Sequence, residues 1–132
     1  MTILILYAAT TIIFLVLDAV MLTFVMKPLF TRHLGDLIRE SPALLPAAIF
    51  YLAYTAGLIT LVSWPALKQN TSPLLSAAIL GAMAYGTYEF TSYAVMKDWS
   101  WQMVATDLTW GTVLTAFSAW AGLAFTRAVT HI

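Results

Sequence analysis

Four stretches of this chain are apolar enough and long enough to cross a bilayer, and short polar segments separate them. The first runs from about Ile3 to Met26, interrupted only by Thr10, Thr11, Asp18 and Thr23, and stops where Lys27-Pro28 joins a charge to a helix breaker. From Leu29 to Ser41 the chain turns polar. Phe30, Leu34, Leu37 and Ile38 nevertheless keep a helical spacing opposite Arg32, His33, Asp36, Arg39 and Glu40, a pattern that predicts a short helix lying in the interface and leaves a solvated loop as the alternative. The second span starts near Leu44, after Ser41-Pro42 in N-cap and first-turn positions or at Pro46, and closes at about Ser63, before Trp64-Pro65. Ala66 to Pro73 reads as a short exposed loop. The third span covers about Leu74 to Met96 and the fourth about Gln102 to Thr126, joined by Lys97-Asp98-Trp99-Ser100-Trp101. Trp64, Trp99 and Trp101 fall where interfacial aromatic anchors concentrate. The expected fold is therefore all-α: one membrane domain, a four-helix bundle with a short interfacial helix between spans 1 and 2.

Composition agrees with the pattern. Only 9% of the 132 residues are charged, against roughly 25% in soluble domains, and 61% are hydrophobic. Six basic and six acidic residues balance to zero, so nothing in the charge attracts nucleic acid. The absence of cysteine removes disulfides, thiolate metal sites and a cysteine nucleophile. The N-terminal apolar run has no basic residue ahead of it and exceeds the ~7–15 residues of a signal h-region, so it is read as the first span.

Against this background three carboxylates stand out, because ionisable groups in hydrocarbon are costly and mark function by default. Asp18 shares a stripe with Tyr7, Thr11, Phe14 and Met21. Glu89 shares one face of span 3 with Tyr85 and Ser92, and Tyr88 and Thr91 lie on the adjoining face. Asp107 begins a stripe with Gly111, Leu114 and Ser118, with Trp110 beside it. Span 2 carries no charge but gathers Phe50, Tyr51, Tyr54 and Gly57 on part of its surface. Since spans alternate direction, the end of span 1, the end of span 3 and the start of span 4 lie on one side. At ~1.5 Å per residue, Asp18 sits roughly 13 Å in from Lys27, Glu89 about 12 Å in from Lys97 and Asp107 roughly 9 Å in from Trp101. No lysine, arginine or histidine shares these spans at that depth. The acids must then satisfy one another, take donors from Tyr54, Tyr85, Tyr88, Thr11, Thr91, Ser92 and Trp110, hold a cation, or stay protonated. Each has a purely structural alternative: an N-cap for Asp107, an interhelical hydrogen bond for Glu89 and for Asp18.

The order of an Asp near the end of span 1, Phe-Tyr-x-x-Tyr-x-x-Gly in span 2, Thr-Tyr-Glu-Phe-Thr-Ser in span 3 and Asp-x-x-Trp-Gly in span 4 resembles an uncharacterised bacterial family of four-span membrane proteins. In that family the span 3 motif is typically Thr-Tyr-Asp-Leu-Thr-Asn. Thr87, Tyr88 and Thr91 match it, Glu89, Phe90 and Ser92 depart from it, and Met21 stands where the family often has Trp. The resemblance covers nearly all of the chain and implies a multi-pass protein of the bacterial inner membrane, with no activity attached.

Three functions compete. The converging acids, phenols and indole suit an intramembrane pocket that binds or processes a small membrane-soluble or amphipathic molecule. Proton-coupled transport is the second reading, since the plan is similar in outline to small four-helix multidrug exporters. An accessory subunit whose acids serve assembly is the third. The partners left open are membrane lipids, a small hydrophobic ligand and a second copy of the chain. His33 and His131 lie outside the spans, which disfavours a bis-histidine haem or a histidine-rich metal centre, and no cofactor is implied. Familiar hydrolase and nucleotide motifs are absent.

Orientation follows from the basic residues. Lys27, Arg32, Arg39 and Lys97 flank one side of the membrane and Lys68 and Arg127 the other, which favours loops 1 and 3 in the cytoplasm and both termini outside. Single cysteines introduced at Lys97 and Arg127 should then label from opposite sides of intact cells. Labelling of the Arg127 position from the cytoplasm alone would reverse this topology.

Overall fold

The computed structural model describes residues 1–35 and 44–130. Among the described residues every element is helical. Helix α1 is continuous over Thr2–Leu34, and α2 begins with Leu44–Leu58 and continues without a break through Trp64–Gln69. Helix α3 is Leu74–Val95 and α4 is Trp101–Thr130. By length and apolar composition α1, α2 and α4 can cross a membrane. Helix α3, at 22 residues, is about 33 Å long and carries Glu89 and a larger polar share.

Two predicted boundaries move for one physical reason. Pro28 and Pro65 were expected to end spans 1 and 2, yet both helices run past them. Each proline follows a five-residue π turn, Leu22–Met26 before Lys27-Pro28 and Ile59–Ser63 before Trp64-Pro65. A proline in a helix lacks the N–H for the ladder, and its ring collides with the carbonyl one turn earlier; widening that turn to i→i+5 bonding displaces the carbonyl, and the helix continues. Consequently the stretch from Leu29 is helical as far as Leu34, but as a direct extension of α1 with no break between them; Gly35, at φ 57°, follows it. The remainder of the proposed interfacial segment, with Ser41-Pro42, lies outside the described residues, as does His131.

The same effect shortens the second connection. Ala66 and Leu67, read as loop, are buried with Leu6, Ile59 and Leu123, and only 70–73 remain as connection. Asn70 ends α2 in the left-handed region, where a short amide side chain is tolerated. Arg127 donates from Nη2 to the Ala66 and Thr71 carbonyls at 3.2 and 3.1 Å, placing a cation on the carbonyl end of α2. Trp64 is half-buried against the same cluster, with the Lys68 ammonium 5.7 Å from its ring centre.

Helix α4 is the axis of the bundle, with α3 antiparallel on one side and α1 on another. Small residues set both approaches. A Cβ on Gly81 would fall 2.6 Å from the Gly111 carbonyl oxygen and 2.8 Å from Thr115 Cβ. On Gly111 it would enter the Tyr85 ring, and on Gly122 it would overlap Thr10 Oγ1. Close backbone approach of this kind is how helices associate in lipid, where apolar burial supplies no driving force. Helices α2 and α4 run parallel with a constant offset: Tyr54 meets Thr115 and Ala66 meets Arg127, each pair 61 positions apart, and Leu58 packs with Ala119 between them.

Side-chain burial is inverted relative to a soluble bundle. Leu4, Ile12, Val16, Val20 and Phe24 of α1 are exposed, whereas Thr10, Thr11 and Asp18 are buried. An apolar exterior around a partly polar interior is the arrangement hydrocarbon demands.

Because the Gly81 contact is to backbone and to a branched Cβ, Gly81→Val should force α3 off α4. A loss of about 1–3 kcal/mol in reversible unfolding from detergent micelles is expected. Gly57, whose Cβ would meet nothing within 4 Å, is the control, and Gly57→Ala should leave stability unchanged or slightly raised. Equal effects of the two substitutions would show that the α3–α4 approach does not depend on Gly81.

Candidate functional site

All three acids lie in the same half of the bundle and are withdrawn from its surface: Glu89 is 0% exposed, Asp18 4% and Asp107 8%. Asp107 falls two turns inside α4, whose start is served by Ser100, the Oγ of which accepts from the Met103 N–H at 3.1 Å. The N-cap alternative for Asp107 is thereby removed.

Asp18 is held from two other helices. The Tyr51 hydroxyl of α2 donates to Oδ2, and the Trp110 indole of α4 donates from Nε1 to Oδ1 at 3.0 Å. Phe14, one turn earlier on α1 and fully buried, sets the angle of approach: its ring lies 5.8 Å from Tyr51 and 5.5 Å from Tyr54, tilted to both. Phe50 completes the aromatic wall, stacked on Tyr54 at 5.6 Å and edge-on to Tyr51 at 5.9 Å. Asp18 thus has a donor on each oxygen, which satisfies a buried carboxyl group in a dry interior.

Glu89 and Asp107 form a different kind of unit. The Trp99 indole donates from Nε1 to Glu89 Oε1 at 2.9 Å, while Oε2 has no N–H or hydroxyl donor among the described residues. What stands beside the Glu89 carboxyl, within hydrogen-bonding reach, is the carboxyl of Asp107, with Asp18 in electrostatic range of Asp107. Two carboxyl groups form a hydrogen bond only when one of them carries a proton. The Glu89–Asp107 pair therefore differs from Asp18, whose two oxygens each accept from a neutral donor.

The remaining sequence candidates divide. Trp110 touches an acid directly. Tyr85 lies over Gly111, and its hydroxyl makes no hydrogen bond to the described residues. Tyr54 instead bonds Thr115 Oγ1 at 2.9 Å and meets the Tyr85 ring edge-on at 6.3 Å. Ser92 is buried one turn from Glu89. Tyr88 is half-exposed and leans edge-on against Trp99 at 5.9 Å, and Thr91 faces outward. Thr11, named as a donor, is used by Thr55 Oγ1 at 3.0 Å.

Two contributors were missed. Tyr51 belongs to the aromatic group of span 2, and counting about 10 Å inward from Leu44 puts it at the depth of the acids, so its level was legible in the sequence although its partner was not. Trp99 was read as an interface anchor, as was Trp101. Trp101 is indeed exposed, stacked on Tyr93 at 4.2 Å, but Trp99 is 8% exposed and closes over Glu89, with Phe30 edge-on at 5.3 Å. The preceding Asp98, at φ 66°, turns the connection back so that the indole enters the bundle. No periodic signal exists in so short a segment.

A shallow groove open to the lipid face runs beside this cluster between α1 and α4. It is lined by Met21, Ala105, Thr106, Thr109, Trp110 and Val113, so Trp110 forms the wall between the groove and Asp18.

These contacts make Glu89 substitutions diagnostic. Glu89→Gln should fold, because the amide still accepts from Trp99 and donates to Asp107, and should abolish the infrared band of a protonated buried carboxyl. Glu89→Ala should cost about 1–3 kcal/mol by leaving the Trp99 N–H and Asp107 unpaired. If the Gln variant loses no such band at near-neutral pH, the pair does not hold a proton.

A family model described as a predicted membrane protein (DUF2177) matches residues 3–124. No curated protein and no solved structure matches the chain. The matched range reaches from the first turn of α1 well into α4 and includes Asp18, Glu89, Asp107, Tyr51, Trp99 and Trp110, so the chain belongs to this family of membrane proteins of unknown function.

Proposed function

We propose that this protein is a four-span protein of the bacterial inner membrane whose buried acid and aromatic cluster receives a small membrane-soluble or amphipathic molecule. One observation carries the reading. Each of the four helices sends a polar side chain to the same buried region, Asp18 from α1, Tyr51 from α2, Glu89 from α3 and Asp107 with Trp110 from α4. Mere stabilisation needs no such convergence, since buried polar groups away from function are costly in lipid. The groove beside Trp110 supplies the complementary half, an apolar channel open to acyl chains. In this reading the ligand lays its hydrocarbon part against Met21, Ala105 and Val113, and its hydrogen-bonding head displaces or engages the Trp110 indole at Asp18. The Glu89–Asp107 pair then exchanges a proton with the head group.

That pair also favours a second reading, in which the same molecule moves across the membrane coupled to a proton. Proton flux in reconstituted vesicles that depends on an added hydrophobic substrate would select it over simple binding or processing.

Native mass spectrometry and lipidomics of the protein purified in mild detergent provide the direct test. A distinct class of molecule should be enriched over bulk membrane lipid, and Trp110→Phe and Asp18→Asn should each reduce that enrichment by about tenfold, the loss of one charge-assisted hydrogen bond. Bulk lipids alone, in membrane proportions and unchanged by either substitution, would refute the pocket.

A further inference from the structure

The opposite half of the bundle contains a second set of polar groups that the carboxyl cluster does not use. Thr10, Ser63 and Ser118 are each 0% exposed, and the hydroxyl of each is buried without a hydrogen-bond partner. This is unlike the other helical hydroxyls. Thr55, Thr60, Thr87, Thr112, Thr126 and Thr130 all donate to the carbonyl four residues back, the usual way a hydroxyl is satisfied inside a helix. In hydrocarbon an unsatisfied hydroxyl has every reason to do the same.

The three are strung along one seam, within about two turns of α4. Thr10 Oγ1 lies against Gly122, where it would overlap an added Cβ. Ser118 is one turn before Gly122 on the same buried face of α4. Ser63 closes the π turn of α2, and the offset of 61 positions that relates α2 to α4 brings it level with the turn containing Gly122. Its neighbours along α2, Ile59 and Leu67, pack with Leu6 and Leu123, so Ser63 faces the same α1–α4 seam. By that offset Ser63 stands level with residue 124, six residues or about 9 Å along the axis from Ser118, with Thr10 and Gly122 between them. A short file of waters, each typically making two to four hydrogen bonds, would be needed to join the three hydroxyls.

The polar line extends from there in both directions. Toward the acids, Thr115 lies one turn from Ser118 and bonds Tyr54, whose ring meets the Tyr85 ring edge-on; no hydrogen bond among the described residues joins either phenol to an acid, so water must complete the line there as well. Toward the membrane surface, Thr126 is buried and Arg127 keeps its Nε buried without an acceptor. We propose that Thr10, Ser63 and Ser118 bind ordered water around Gly122, and that this hydrated seam carries protons between the Arg127 end of the bundle and the Glu89–Asp107 pair. The proton moves by exchange along hydroxyls and water, with no net change at any relay group. The inference goes beyond ligand binding at the acid cluster and does not require that any ligand bind there.

Water-edited solid-state NMR of the full chain in lipid bilayers tests the hydration. Water magnetisation should reach Ser63, Ser118 and the Thr10 methyl group but not the neighbouring Leu6 or Leu114. Hydrogen–deuterium exchange of the buried carboxyl band, followed by infrared spectroscopy in the same bilayers, tests the route. The double variant Ser63→Ala with Ser118→Ala should exchange about tenfold more slowly than wild type once the bridging water is lost. Thr112→Val, which removes a hydroxyl already bonded to its own helix, should exchange at the wild-type rate. Absence of water transfer to the three residues overturns the site. Unchanged exchange in the double variant overturns the route, and so does the absence of a protonated carboxyl band in wild type, because the seam would then end on no proton-holding group. A double variant more thermally stable than wild type would mean that the hydroxyls are dry, and would overturn the site as well.

Discussion

A carboxyl group surrounded by hydrocarbon, with no basic side chain at its depth, must be satisfied by neutral donors or by a proton, and the bundle is arranged around that requirement. Asp18 meets it with two donors, one phenol and one indole, each from a different helix. Glu89 and Asp107 stand against each other, with the Trp99 indole donating to Glu89. The helices are therefore tied across the interior by polar contacts, while their packing relies on glycines that let backbones touch. Both devices answer the same circumstance: in lipid, burying an apolar side chain gains little over leaving it exposed.

The two kinds of tie are complementary along α4. At Gly81–Gly111 and Gly122–Thr10 the neighbouring helices come close enough that no Cβ fits. Close approach in turn fixes which polar groups face each other. Tyr85 lies over Gly111 because that position lacks a side chain, and its ring there meets Tyr54 edge-on. A bulkier residue at 111 would displace the phenol before it disturbed any carboxylate. Packing and chemistry at this site are thus not separable.

Proline placement gives the bundle its length. With a π turn ahead of each, Pro28 and Pro65 lie within continuous helices, so α1 at 33 residues is about 50 Å long, well beyond the ~30 Å of hydrocarbon. The extension carries Phe30 to the edge of Trp99, which closes over Glu89. Had α1 ended at Lys27, that contact would be missing and the aqueous side of the carboxyl pair would be open. The matching extension of α2 brings its final carbonyls to Arg127, which ties the other end.

Much of this was readable in advance because hydrocarbon imposes a one-dimensional rule. Long apolar runs must be helices, and an acid inside one must face protein, so the all-α bundle, the stripes of Asp18, Glu89 and Asp107 and their common depth all followed from position along the chain. What the sequence could not determine was any feature that depends on a second helix or on a local departure from regular geometry. The π turns before Pro28 and Pro65 arise from a collision relieved within the backbone, and propensity alone reads each as a stop. The inward turn of Trp99 depends on a single left-handed residue, Asp98, in a connection too short to carry a period. The choice of Tyr51 over Tyr54 for Asp18 rests on Phe14 wedged against both rings and on the register of α2 against α4, which only tertiary packing decides. Depth is a property of one helix, whereas partnership is a property of two.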